Sequence, residues 1–94
     1  MFVILLTYTK PLEDVDAVMR EHMAWLDEQY AAGRFLVSGR RVPRTGGVIL
    51  ARGEDLAEME ALAASDPFVS SGMATCEVIQ FRASQRGSEL DALL

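Results

Sequence analysis

Cysteine is nearly absent from this 94-residue chain: Cys76 is the only one. A single thiol excludes an intrachain disulfide framework and a multi-cysteine zinc site, and a reducing, cytoplasmic setting is the expectation. Basic residues are also scarce, nine against fourteen acids, for a formal net charge of −5. Such a chain lacks the basic surface that phosphate neutralisation needs, which argues against general nucleic-acid binding and against anionic membranes. No apolar run reaches the roughly 18 residues that span a bilayer. Met1 to Leu6 is hydrophobic, but no basic residue precedes it and Thr7-Tyr8-Thr9-Lys10-Pro11 follows in place of a small-residue cleavage site. That opening reads as a buried strand and not as a signal peptide. There is one histidine, His22, and no metal-ligand spacing, so no metal is expected. Neither G-x-G-x-x-G nor a phosphate-binding loop occurs, so no cofactor is expected.

What is present is the composition of one globular domain, half apolar and 24% charged. Residues 2–9 are rich in β-branched and aromatic types and end at Lys10-Pro11, a strand. From Glu13 to Ala32, Val15, Val18, Met19, His22, Met23, Leu26 and Tyr30 recur at three- and four-residue steps, which predicts one helix stopped by Gly33. Phe35–Gly39 is a short strand and Gly47–Arg52 its hairpin partner, joined by a turn over Val42–Gly46. A second helix is expected over Glu54–Ala64, a break at Ser65-Asp66-Pro67-Phe68, and a last strand over Thr75–Ala83. The order β-α-β-β-α-β is the split βαβ of ferredoxin-like α+β domains: a four-stranded antiparallel sheet with two helices on one face. The domain is expected over residues 1–83. A polar tail over 84–94 is disordered or, through a turn carrying Leu90, Leu93 and Leu94, docks on a partner subunit.

Side chains alternate along a strand. Phe2, Ile4, Leu6 and Tyr8 take one face of the first strand; Val3, Leu5, Thr7 and Thr9 take the other. In the last strand Cys76 and Val78 oppose Ile79 and Phe81 in the same way. Two helices cover only one face, so a second apolar face needs a cover. The simplest is a second copy, sheet against sheet, in a two-fold dimer.

His22 is the one side chain suited by nature to acid–base work near neutral pH. Its place on the apolar stripe of the first helix equally suits a core histidine bonded to a carbonyl. Asp66 before Pro67 is a helix N-cap signal; its carboxylate is alternatively a partner that orients His22. Ser38, with His22 and Asp66, invites a hydrolase reading. However, it precedes a hairpin and lacks the G-x-S-x-G elbow, so it reads as a polar lining residue. Cys76 reads as a small buried hydrophobe. Arg34, Arg40, Arg41, Arg44 and Arg52 form an acid-free run around the hairpin, either a solvated surface or an anion-attracting patch. Tyr8 is placed to bring a hydroxyl to the mouth of the same cleft, and Trp25 and Tyr30 read as packing residues or pocket walls.

Arg20-Glu21-His22, Gly33 through Ser38-Gly39, Gly46-Gly47 and Asp66-Pro67-Phe68, in this order and spacing, resemble the YCII-related (YciI-like) family over residues 1–83. The resemblance implies a ferredoxin-like fold that dimerises as an α/β barrel. It also implies a histidine–aspartate site, which falls on His22 and Asp66, with Ser38 as the serine of the family's S-G segment. A branch of the family is similar to dehydrochlorinases acting on chlorinated hydroxyquinols. The family often has proline after S-G, where this chain has Arg40-Arg41. The expectation is therefore a His22–Asp66 acid–base pair performing isomerisation or elimination on a small cyclic or aromatic anion, with Ser38, Tyr8 and Arg40 binding it. The other reading is a non-catalytic dimeric module that binds a small ligand.

Overall fold

The computed structural model describes residues 1–91. Four strands, β1 (Phe2–Tyr8), β2 (Phe35–Arg40), β3 (Gly46–Ala51) and β4 (Ala74–Gln80), form one sheet in the order β2-β3-β1-β4, with every neighbouring pair antiparallel. The helices are α1 (Leu12–Asp16), α2 (Met19–Ala31), α3 (Leu56–Ala64) and the single turn α4 (Pro67–Ser70). This is the expected ferredoxin-like α+β order. Phe2, Ile4 and Leu6 of β1 and Ile49 and Ala51 of β3 are buried against Trp25 and Leu26 of α2 and Met59 and Ala63 of α3. A smaller cluster of Val15, Phe68 and Ala74 ties α1 and α4 to the start of β4.

Strands β1 and β4 carry most of the β-branched residues, and α3 and α4 take side-chain caps that their sequences offer. Asp55 accepts from the Glu58 backbone N–H at the start of α3, and Asp66 from Phe68 at the start of α4. Gly46 is required by a close approach, because a Cβ there would overlap the Leu6 carbonyl of the neighbouring strand.

Most boundaries move by one or two residues and the expected break at 65–68 carries the turn α4, while larger departures fall in the first helix, the last strand and the tail. The predicted helix over 13–32 is two helices, since the Val18 N–H bonds back three residues to Val15 and Val18 leaves helical geometry (φ −106°, ψ 1°). This tight turn re-aims Val15 into the cluster beneath Phe68, while the apolar steps run through the break unchanged. The last strand stops at Gln80; beyond it the Phe81 N–H still bonds to the Met1 carbonyl. In the tail, Ser88–Leu90 form a 3₁₀ turn and Arg86 pairs with Asp91; Leu93 and Leu94 lie outside the described residues.

Among the described residues, no helix covers the other face of the sheet. Registers Val3↔Leu50, Leu5↔Val48, Val3↔Ile79 and Val37↔Leu50 put these apolar side chains on one surface. Val37 is 58%, Ile79 42% and Val48 39% exposed on it.

Candidate functional site

β2 carries an extra residue opposite β3: Phe35 pairs with Ala51 and Val37 with Leu50, leaving Leu36 as a bulge. Simple alternation from the buried Phe35 would send Val37 and Gly39 toward the helices. The bulge reverses this. Ser38, opposite Ile49, and Arg40, opposite Gly47, thereby join the helix-covered face.

There they meet a cleft of about 310 Å³ between α2 and the sheet. Its walls are Leu6, Met19, Met23, Leu26, Ile49 and Phe68, and its polar groups come from His22, Tyr8, Ser38 and Arg40. The five residues singled out from the sequence therefore come together: His22, Tyr8, Ser38 and Arg40 line one cavity, and Asp66 lies directly behind His22. Gly47 forms part of the floor, where a Cβ would make ordinary contact with Leu6 and the Gly39 carbonyl.

His22 Nδ1 lies 2.8 Å from Asp66 Oδ1. His22 is 9% exposed and Asp66 is wholly buried. A carboxylate only accepts, so Nδ1 carries the proton and Nε2 is left as the basic ring atom beside the cleft. The same Oδ1 accepts the Phe68 N–H at 2.9 Å, so the cap and the histidine contact use one oxygen. Asp66 Oδ2 is buried without a partner. The Phe68 ring stacks on the imidazole at 3.9 Å between centroids and 12° between planes, fixing its plane from one side. Trp25 lies on the next turn of α2 and donates from Nε1 to Ser65 Oγ at 3.0 Å, which anchors the residue preceding Asp66.

The five arginines do not act as one patch. Arg34 donates to Gln29, Arg44 pairs with Asp16 on α1, and Arg52 borders a separate groove with Met1 and Arg82. Arg40 alone of the five lines the cleft. The Arg44 guanidinium lies 6.0 Å from the centre of the Tyr8 ring, which brings the β2–β3 loop beside a residue that lines the cleft. The hydrogen bond from Arg44, with desolvation opposing it and the guanidinium charge adding to it, holds the Asp16 carboxyl below its ordinary value near 3.8. Because the folded-state value lies below the unfolded one, this pair stabilises the chain above that pH and loses its effect as Asp16 is protonated in acid. Melting curves of the wild type and Asp16→Asn are expected to differ slightly at neutral pH and to converge in acid; a constant gap would show that the charge is not the cause.

Cys76 is half-buried on the helix-covered face. Desolvation pushes its thiol above the ordinary value, with the carboxylates of Asp66 and Glu60 adding to the effect. It is held as a thiol, consistent with packing. Among the described residues, no group of three His, Cys, Asp or Glu side chains is placed to hold a metal ion. No helix among them is long and apolar enough to cross a membrane.

Three features of the site escaped the sequence reading. The Leu36 bulge and the Gly47 floor have no local signature. The stacking of Phe68 had one, since Asp66-Pro67-Phe68 places the ring two residues from the carboxylate.

A four-stranded sheet under a helical layer, with a buried histidine–aspartate contact beside an apolar cleft, defines a small ferredoxin-like α+β domain. The YCII-related domain model matches residues 1–82, and the chain belongs to that family. A solved structure of 5-chloro-2-hydroxyhydroquinone dehydrochlorinase from Burkholderia phenoliruptrix AC1100, in complex with 2,5-dihydroxybenzoquinone, is similar with a TM-score of 0.71 and 19% identity. The similarity covers 87% of this chain and 94% of that chain. At that identity the likeness is one of fold. No curated protein matches the chain.

Proposed function

We propose that the chain is a small enzyme in which His22, oriented by Asp66, moves a proton on a hydroxylated, quinol-like ring. The observation that carries this reading is the 2.8 Å contact that commits Nδ1 to Asp66 and leaves Nε2 to an apolar cleft. Nε2 takes a proton from the ring or its hydroxyl, and the buried carboxylate offsets the charge on the resulting imidazolium. The proton then returns to another ring atom, which is isomerisation. For elimination the proton returns to the chlorine-bearing carbon, giving a keto tautomer; Nε2 then takes the proton of a remaining hydroxyl, whose electrons form a carbonyl and shift the ring double bond to expel chloride, and the imidazolium gives that proton to water. Arg40 supplies the positive charge for an anionic oxygen, and Tyr8 and Ser38 supply hydroxyls. The likeness in fold to a hydroquinone dehydrochlorinase supports the choice of substrate class.

The test is chloride release from 5-chloro-2-hydroxyhydroquinone, measured for the wild type and for Gly47→Val. The valine side chain is expected to fill the floor of the cleft and abolish release while the fold persists. Binding without turnover would instead support the reading as a ligand-binding module. Equal release by both proteins would place the reaction outside the cleft.

The open apolar face supports a sheet-to-sheet homodimer. Sedimentation is expected to give twice the 10.3 kDa chain mass, and Ile79→Glu, which puts a charge on that face, is expected to give the single-chain mass. A wild-type monomer at micromolar concentration would overturn the dimer.

A further inference from the structure

Ser38 does not present an isolated hydroxyl to the cleft. Tyr30 Oη lies 2.5 Å from Ser38 Oγ, at the short end of the range for such bonds. Tyr30 stands two turns beyond His22 on α2. Its ring meets the buried Phe35 edge-on at 6.1 Å and 87°, so packing holds the phenol in place. The tyrosine itself does not line the cleft and is 38% exposed.

Two hydroxyls carry two protons, and the bond between them uses one. A phenol is the stronger hydrogen-bond donor of the two, so Tyr30 donates to Ser38. The Ser38 proton is then free for an acceptor in the cleft, and a chain of donors pointing one way polarises each member. The face that the Leu36 bulge turns inward also carries Arg40, so both point at the same side of any ligand. A hydroxyl polarised by a phenol, with a guanidinium nearby, suits an oxygen that bears or develops negative charge.

We infer that Tyr30 is a positioning residue: it holds Ser38 as a polarised donor for a carbonyl or phenolate oxygen of the ligand, distinct from the group that exchanges its proton with His22. The ligand class is then a ring with at least two oxygen functions, one for each polar wall. This inference rests on the cleft reading proposed above and narrows it. A mere clasp between α2 and β2 would affect melting and leave affinity alone.

The experiment is calorimetric titration of 2,5-dihydroxybenzoquinone into the wild type, Tyr30→Phe, Ser38→Ala and the double variant, with circular dichroism as the check on folding. Tyr30→Phe keeps the ring against Phe35 and is expected to weaken binding about tenfold, because the Ser38 donor loses the partner that orients and polarises it. Ser38→Ala is expected to lose at least as much, and the double variant no more than Ser38→Ala alone, because Tyr30 acts only through Ser38. Wild-type affinity in Tyr30→Phe, or losses that multiply in the double variant, overturns the inference and leaves the cleft reading standing. A wild type that does not bind the quinone overturns both.

Discussion

His22→Gln is expected to cost roughly 10²–10⁴-fold in turnover, the usual worth of a positioned acid–base group, with KM and melting temperature little changed. The imidazole contacts Asp66 through Nδ1, packs its ring face on Phe68 and belongs to a residue that lines the cleft, where the proposal gives Nε2 the proton transfer. Glutamine keeps an N–H donor for the buried carboxylate but has no basic nitrogen, so it removes the chemistry and spares the ion. Alanine is the poorer probe. It strands the Asp66 carboxylate with only the Phe68 N–H, so lost activity would be confounded with lost structure. The readout is kcat and KM for a chlorinated hydroquinone, with ring ¹⁵N shifts of the wild type to verify that Nδ1 carries the proton. A glutamine variant with wild-type kcat would mean that the base lies elsewhere and would end the proposal for His22.

The elements of the fold were legible because each rests on a local pattern. The β-branched run before Lys10-Pro11 and the apolar steps of α2 place their elements within a few residues. The two-faced alternation of β1 is visible in the burial of Phe2, Ile4 and Leu6 against helices, and in the bare surface around Val3 and Leu5. Less legible was whatever depends on contacts distant in sequence. The break at Val18 leaves the apolar steps intact, and its purpose is the meeting of Val15 with Phe68, far along the chain. The bulge at Leu36 is likewise invisible in a strand read alone, because it exists only against the register of β3. Yet it decides whether Ser38 or Val37 faces the cleft.

The arginine run carried two readings, a solvated surface or an anion-attracting patch, and the structure divides it: Arg34 and Arg44 pair with Gln29 and Asp16, Arg52 borders a separate groove and Arg40 lines the cleft. For Asp66 the two readings proved compatible. Cap and histidine partner stood as competitors in the sequence, whereas in the structure Oδ1 performs both roles. The signal for the cap was local, and the partner was supplied by the packing of α4 against α2.

That double use makes Asp66 the position where stability and chemistry can be separated. Asp66→Ala is expected to destabilise the chain by about 2–4 kcal/mol, from loss of an N-cap and from a buried donor left without its acceptor. For a domain of this size that is on the order of 10–20 °C in melting temperature. Asp66→Asn behaves differently. Its amide oxygen can take the place of Oδ1 and keep both the Phe68 N–H and the His22 Nδ1–H. Its nitrogen then falls where Oδ2 already lacks a partner, so the hydrogen bonds of the native site survive with one unsatisfied group exchanged for another. What disappears is the negative charge that offsets an imidazolium. The expected result is a modest fall in melting temperature, a few degrees, beside a loss of kcat that approaches that of His22→Gln. Thermal melts and turnover on the same samples decide it. Full activity in Asp66→Asn would reduce Asp66 to a helix cap. Wild-type melting in Asp66→Ala would show that neither the cap nor the buried contact contributes to folding, and the rigid placement of His22 would then have to come from Phe68 and the α2 backbone alone.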